Sequence, residues 1–282
     1  MQHYHRGAPS RHTKSVHSVE HTKIVHPYLS FPNPRAFAHR GWHVGDLAGM
    51  ENSMSAFRRA VQEGYKYIET DVHATSDGVV VTHHDETLDR TTDGTGPIAS
   101  MPWSQVRRAK VGGVEPISRL EEVFEELPDA HFNIDVKADS AAEPVVRAIQ
   151  RAGATNRVAL ASFSSRRLAR LRKLAGAKLA TAMGPRHIAT MKFSGRLPSA
   201  PVRKFIRGLM AQVPHRFGRF TLVDRGFVRA AHRLGAEVHV WTVNDPAQMR
   251  HLLDLGVDGI VTDRPDLLRD VLRERGAWYA QN

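Results

Sequence analysis

The sequence predicts an α/β chain folded as a (β/α)8 TIM barrel with a small hairpin-containing insertion after the second strand. Two observations carry the barrel. Eight short apolar runs have the length of buried strands, and helical periodicity lies between most of them. A third observation carries the insertion: an extra strand-like run, 79–83, follows Asp77-Gly78, a strong two-residue hairpin turn. A doubly wound open sheet uses the same alternation and is the structural alternative.

In chain order the strand-like runs are 36–39, 66–72, 131–136, 157–162, 178–182, 209–213, 237–242 and 258–262. Helical patterns occupy 53–63, 119–127, 141–152, 165–175, 225–234, 246–255 and 265–275, and Asn52 or Ser53 suits the cap of the first. With Asp77 and Gly78 at the centre of the hairpin turn, Ser76 pairs with Val79. The mirror then runs back until Asp71 faces His84.

Residues 1–34 read differently. They hold six of the 17 histidines, three prolines between Pro27 and Pro34, and little apolar periodicity. The expectation is a disordered, basic, His-rich tail ahead of a single catalytic-size domain over 35–282.

Composition narrows the chemistry. No apolar run approaches the roughly 18 residues of a membrane span, and the N-terminus lacks the apolar core of a secretory signal, so a cytoplasmic location is expected. With no cysteine, a thiolate nucleophile, a thiolate metal site and a disulfide framework are all excluded. The formal charge of +11 and a pI near 10.3 suit nucleic acid, anionic headgroups or phosphate-bearing small molecules, and charge alone does not choose among them. The segment 184–220 has eight Lys or Arg and no acid, which predicts a solvated basic loop with one buried strand and also suits weak attraction to an anionic membrane surface.

The chemistry-bearing residues cluster at strand ends. Glu69 and Asp71 in "YIETDV" are two apart and share one strand face, where two unpaired carboxylates call for a divalent cation. Asp135 in "NIDVK" offers a third oxygen ligand from another strand, and Lys137 lies on its side. The triplet His-Arg-Gly occurs at 5–7 and at 39–41. Only the second follows an apolar strand, "AFA", that would present it at the C-terminal end where barrel catalysis occurs. Trp241 ends another strand and suits an apolar pocket wall.

Read in order, "AHRG…EN", "YIETDVHATSDGVVVTHHDETLDRTTDGTG", "NIDVK", "WTVND" and "DGIVTDRPD" resemble the glycerophosphodiester phosphodiesterase family, a group of PI-phospholipase C-like TIM-barrel phosphodiesterases. The resemblance covers about residues 36–268 and implies hydrolysis of a small-molecule glycerophosphodiester to sn-glycerol 3-phosphate and an alcohol. It implies a divalent cation, Ca2+ or Mg2+, on Glu69, Asp71 and Asp135. It makes His39 and His84 the acid–base pair, Arg40 and Lys137 phosphate contacts, and Glu51 a polar neighbour of the substrate. Asp135 departs from the Glu most members have; the related spider-venom-type phospholipases D have Asp. "ENS" replaces the commoner "ENT". A phospholipase D-like action on lysophospholipids is the nearest alternative, and a non-catalytic phosphate- or nucleic-acid-binding protein the distant one.

Overall fold

The computed structural model describes residues 26–194 and 207–278. Eight barrel strands follow one another along the chain: β1 Arg35–His39, β2 Tyr67–Ala74, β3 His131–Val136, β4 Val158–Ala161, β5 Ala180–Thr181, β6 Met210–Pro214, β7 Glu237–Trp241 and β8 Gly259–Thr262. Their helices are α1 Met54–Gln62, α2 Leu120–Glu126, α3 Ala142–Arg151, α4 Ser165–Ala175, α5 Pro185–Ser194, α6 Arg225–Arg233, α7 Pro246–Leu255 and α8 Pro265–Glu274.

Except between β5 and β6, each strand pairs in parallel with its sequence neighbours, and β1 pairs with β8. That pairing, together with a contact between β5 and β6, closes the circle that an open sheet lacks. A single parallel bridge, Ala182 to Met210, joins β5 to β6, where Met183 N–H also donates to the Met210 carbonyl at 2.8 Å. The (β/α)8 barrel is therefore nearly closed, with its thinnest seam between β5 and β6.

Strand alternation sorts side chains into two shells. Ala36 and Ala38, Ile68 and Val72, Phe132, Ile134 and Val136, and Val238 and Val240 join the core between strands and helices. The intervening positions face inward. At the N-terminal end Phe37, Tyr67, Ala159, Met210 and Val261 fill the barrel. Farther along the same faces come His39, Glu69, Asp71, Asn133, Asp135 and Trp241. These polar groups thus stand together at the C-terminal end, while Arg35, Glu237 and His239 form a separate polar set at the other end.

The tail expectation needs correction at its boundary. Residues 1–25 lie outside the described residues, but residues 26–34 pack against the barrel. Tyr28 is fully buried with Phe37 and Tyr67, and the Tyr67 hydroxyl donates to its carbonyl at 2.8 Å. Arg35 reinforces this floor, donating to the Leu29 carbonyl and pairing with Glu237 at 2.7 Å. Aromatic side chains tied to a buried Arg do not behave as a solvated extension.

Residues 75–119, between β2 and α2, carry their own small core of Val81, Leu88, Ile98, Val106, Val111 and Ile117. The hairpin that opens this segment is one residue out of the expected register. Val72 pairs with Thr82 and His73 with Val81, and the His83 N–H donates to the Asp71 carbonyl. The loop has three residues because Asp77 is used differently. The Gly78 N–H closes a turn onto the Thr75 carbonyl, Gly78 takes φ +82°, and the Thr75 hydroxyl donates to Asp77. A turn followed by a left-handed glycine is the three-residue hairpin solution. A second difference lies at 185–194, expected as loop, which forms α5.

Candidate active site

The C-terminal ends of β1, β2 and β3 bring six of the expected residues together. Asp71 and Asp135 are register partners on adjacent strands. Lys137, just past β3, places its ammonium between them, 2.8 Å from an oxygen of each. The other Asp71 oxygen faces Arg40 Nε at 3.1 Å and accepts from the Asn52 amide at 3.1 Å. Arg40 also pairs with Glu51 at 2.9 Å. Glu69, one inward position before Asp71, lies 3.6 Å from His39 Nε2.

The turn after β1 explains how Arg40 reaches Asp71. Arg40 adopts φ +57°, a region that costs a non-glycine residue energy. Its backbone is held on both sides, donating to the Glu69 carbonyl and accepting from the Asn52 N–H. Gly41 follows with φ +86°, and a Cβ there would lie 2.8 Å from the Ala56 backbone. Only glycine lets the chain turn this closely over α1. Ser53, not Asn52, caps α1. That frees Asn52, itself at φ +59°, to bind Thr70 and Asp71.

Charge is unevenly matched. Three carboxylates, Glu69, Asp71 and Asp135, share two permanent cations, Arg40 and Lys137. Burial works against ionising Asp71, yet Lys137 and Arg40 hold its carboxyl below the usual range. Burial and the neighbouring Asp71 push Glu69 up to about 8, and burial likewise raises Asp135. The Lys137 ammonium is raised by its two carboxylates against its own burial. Glu69 is thus the carboxyl that keeps its proton, because the two cations do not neutralise a third negative charge in this cluster.

The two histidines have separate settings. His39 Nδ1 meets Asp263 at 2.5 Å. Asp263 in turn accepts from the Asn244 amide at 3.0 Å and lies 3.6 Å from His43. Although burial opposes it, Glu69 and Asp263 raise the His39 imidazole above its ordinary value. His84 Nδ1 meets Asp85 at 2.6 Å, and Arg90 bridges Asp85 to Glu51. His84 is half-buried and lies near Asp71. His83 is buried, with Nε2 bonded to the Thr87 carbonyl at 2.9 Å. Despite the shifted hairpin register, His83 is thus tied into the loop while His84 sits at the edge of the cluster.

The residues suit a hard divalent cation. The donors are carboxylate oxygens from adjacent strands, and Glu69 Oε2 and Asp135 Oδ1 are buried without a hydrogen-bond partner. Among the described residues no three His, Asp or Glu side chains already converge on one cation position. The Lys137 ammonium holds the oxygens that would have to turn.

A family model described as the glycerophosphoryl diester phosphodiesterase family matches residues 5–267. The chain belongs to that family. A probable glycerophosphodiester phosphodiesterase 2 from Mycobacterium tuberculosis is 42% identical over 245 residues, covering 86% of this chain and 92% of the relative. A human lysophospholipase D GDPD1 is 28% identical over 277 residues, covering 85% and 86%. The crystal structure of a glycerophosphodiester phosphodiesterase from Agrobacterium tumefaciens aligns with a TM-score of 0.66 at 29% identity, covering 83% of this chain and 98% of that one. Membership makes the chain a phosphoric diester hydrolase on a TIM barrel.

In this family member, sequence reasoning missed Asn52, Asp263 and Phe163. Asn52 was weighed only as a helix cap. Asp263 stands in "TDRPD", at the end of β8, and closure of the barrel against β1 could have pointed to it. Phe163, just past β4, is 66% exposed and meets Trp241 edge-on at 5.5 Å between ring centres. The Lys137 ammonium lies 6.0 Å above the Phe163 ring. Trp241 therefore forms one side of an apolar wall beside the charged cluster.

Proposed function

We propose that this phosphodiesterase hydrolyses glycerophosphodiesters to sn-glycerol 3-phosphate and an alcohol, in a divalent-metal-dependent reaction with His39 and His84 as general acid and base. The observation that carries this reading is the placement of His39 Nε2 3.6 Å from Glu69, beside Asp71, Asp135, Lys137 and Arg40. A Ca2+ or Mg2+ ion on Glu69, Asp71 and Asp135 would supply positive charge to the phosphate oxygens. Arg40 and Lys137 bind the same phosphate and orient it. One imidazole takes the proton of the attacking hydroxyl and the other donates to the leaving oxygen, a division that suits side chains able both to accept and to donate a proton. Asp263 and Asp85 each hold the Nδ1 side of a ring, leaving Nε2 for the reaction. Glu51 positions Arg40, and Trp241 packs against the substrate.

The test is a panel of glycerophosphocholine, glycerophosphoethanolamine, glycerophosphoglycerol and glycerophosphoinositol, with and without chelator. Release of glycerol 3-phosphate that stops on chelation supports the reading; full activity after thorough chelation overturns its metal part. His39→Ala should lose activity by orders of magnitude, whereas His5→Ala should not. A second reading, cleavage of lysophospholipids, is favoured by the exposed Phe163 beside Trp241, and a lysolipid in the same panel decides it.

A further inference from the structure

The two most exposed large apolar side chains among the described residues belong to one small element. After β6 the chain forms a two-stranded hairpin, Arg216–Phe217 against Phe220–Thr221, turning at Gly218 and Arg219. Phe217 is 75% exposed and Phe220 79% exposed. They are direct cross-strand partners, so both rings stand on the same face of the ribbon. Two phenyl rings on a ribbon whose six residues are all exposed add nothing to the core, and such a pair marks a contact surface.

We propose that this hairpin is a membrane-contact element that seats the mouth of the barrel on an anionic phospholipid surface. Three observations choose lipid over other partners. The rings are flanked by Arg216 and Arg219, both exposed, the pairing of aromatic and guanidinium groups that suits the boundary between headgroups and acyl chains. In sequence the segment 184–220 that ends in the hairpin has eight basic residues and no acid, and the next acid along the chain, Asp224, is paired with Lys192 at 2.9 Å. Clustered basic residues are drawn to anionic leaflets. Finally, the hairpin leaves the same rim as the candidate site. Pro214, the last residue of β6, is in register with Trp241, which packs on the exposed Phe163.

Binding is read without turnover, so the outcome is independent of the hydrolytic reading. The full chain is sedimented with vesicles of phosphatidylcholine alone and of phosphatidylcholine with phosphatidylglycerol. Binding to the anionic vesicles is expected, at least tenfold weaker for Phe217→Ser/Phe220→Ser. Arg216→Gln/Arg219→Gln should weaken it several-fold and lessen its sensitivity to salt. Unchanged thermal unfolding of both variants shows that the fold is intact. Equal vesicle binding by the aromatic variant overturns the proposal, as does no binding by the unaltered chain. Self-association that the aromatic variant abolishes, without vesicle binding, assigns the surface to protein contact and also overturns it.

Discussion

Asp263 fixes the tautomer of His39. An ionised carboxylate can only accept, so the ring atom 2.5 Å from it, Nδ1, must carry the proton. Burial opposes ionisation of Asp263, but the hydrogen bond from His39, with His43 3.6 Å away, holds it well below the usual carboxylate range. Nε2 is therefore the atom that faces Glu69. Asp263→Asn should lower kcat by about 10²–10⁴-fold, the cost of presenting the wrong nitrogen. Because Asp263 raises the His39 pKa, the limb of the pH–rate profile that belongs to His39 should move to lower pH. A variant with lowered kcat and an unmoved profile would make Asp263 a structural residue only.

In the proposed site Lys137 and a cation would compete for the same carboxylates. The ammonium takes one oxygen each of Asp71 and Asp135. Lys137→Met should therefore bind Ca2+ or Mg2+ several-fold more tightly in calorimetric titration. The same change should lower turnover by about 10²–10³-fold through loss of a phosphate contact. Weaker cation binding in this variant would contradict the competition.

In the proposed site Glu69 would link metal binding to pH. Its carboxyl is raised to about 8 in the folded chain, above its ordinary 4.5, by burial and by Asp71. The folded state then holds a proton that the unfolded state has released, so this group's contribution to stability falls as pH rises from about 4.5 to about 8. A bound cation favours the ionised form. The rise in melting temperature on adding cation should be larger at pH 8 than at pH 5. Glu69→Gln should be less sensitive to pH across this window and should lose most of the cation-induced rise. Equal cation stabilisation at both pH values would contradict the assignment.

Neighbouring histidines should separate cleanly. His84→Ala should reduce turnover by about 10²–10⁴-fold while leaving cation affinity unchanged, since its ring bonds Asp85. His83→Ala leaves the Thr87 carbonyl without its partner inside the loop and should cost about 2 kcal/mol in chemical denaturation. Its turnover at low temperature should stay near that of the unaltered chain.

The barrel was legible because strand and helix periods are local, and seven of the eight helices matched an apolar pattern. Helix α5 escaped because its apolar residues, Ile188, Ala189 and Met191 among them, do not gather into one clear stripe. Glu69, Asp71 and Asp135 were legible because a carboxylate on an inward strand position contradicts its neighbours. Asp263 and Asn52 were not, because each acts across a long sequence separation, on β1 and β2 respectively. Tyr28 was misread because a buried aromatic in a polar, proline-rich stretch carries no period. The hairpin register failed by one residue because Thr75, rather than Ser76, closes the loop through its hydroxyl.

The seam between β5 and β6 separates what must be kept from what is free to vary. His39, Glu69, Asp71, Asp135 and Asp263 all stand on β1, β2, β3 or directly after β8, where strands pair along their length. The opposite side of the barrel is joined by one bridge, and the long connection across it contributes none of these residues. Insertions or changes there can reshape what the enzyme touches without disturbing the atoms that react. A lineage of such barrels can in this way inherit one chemistry while its members diverge in where, and on what, they use it.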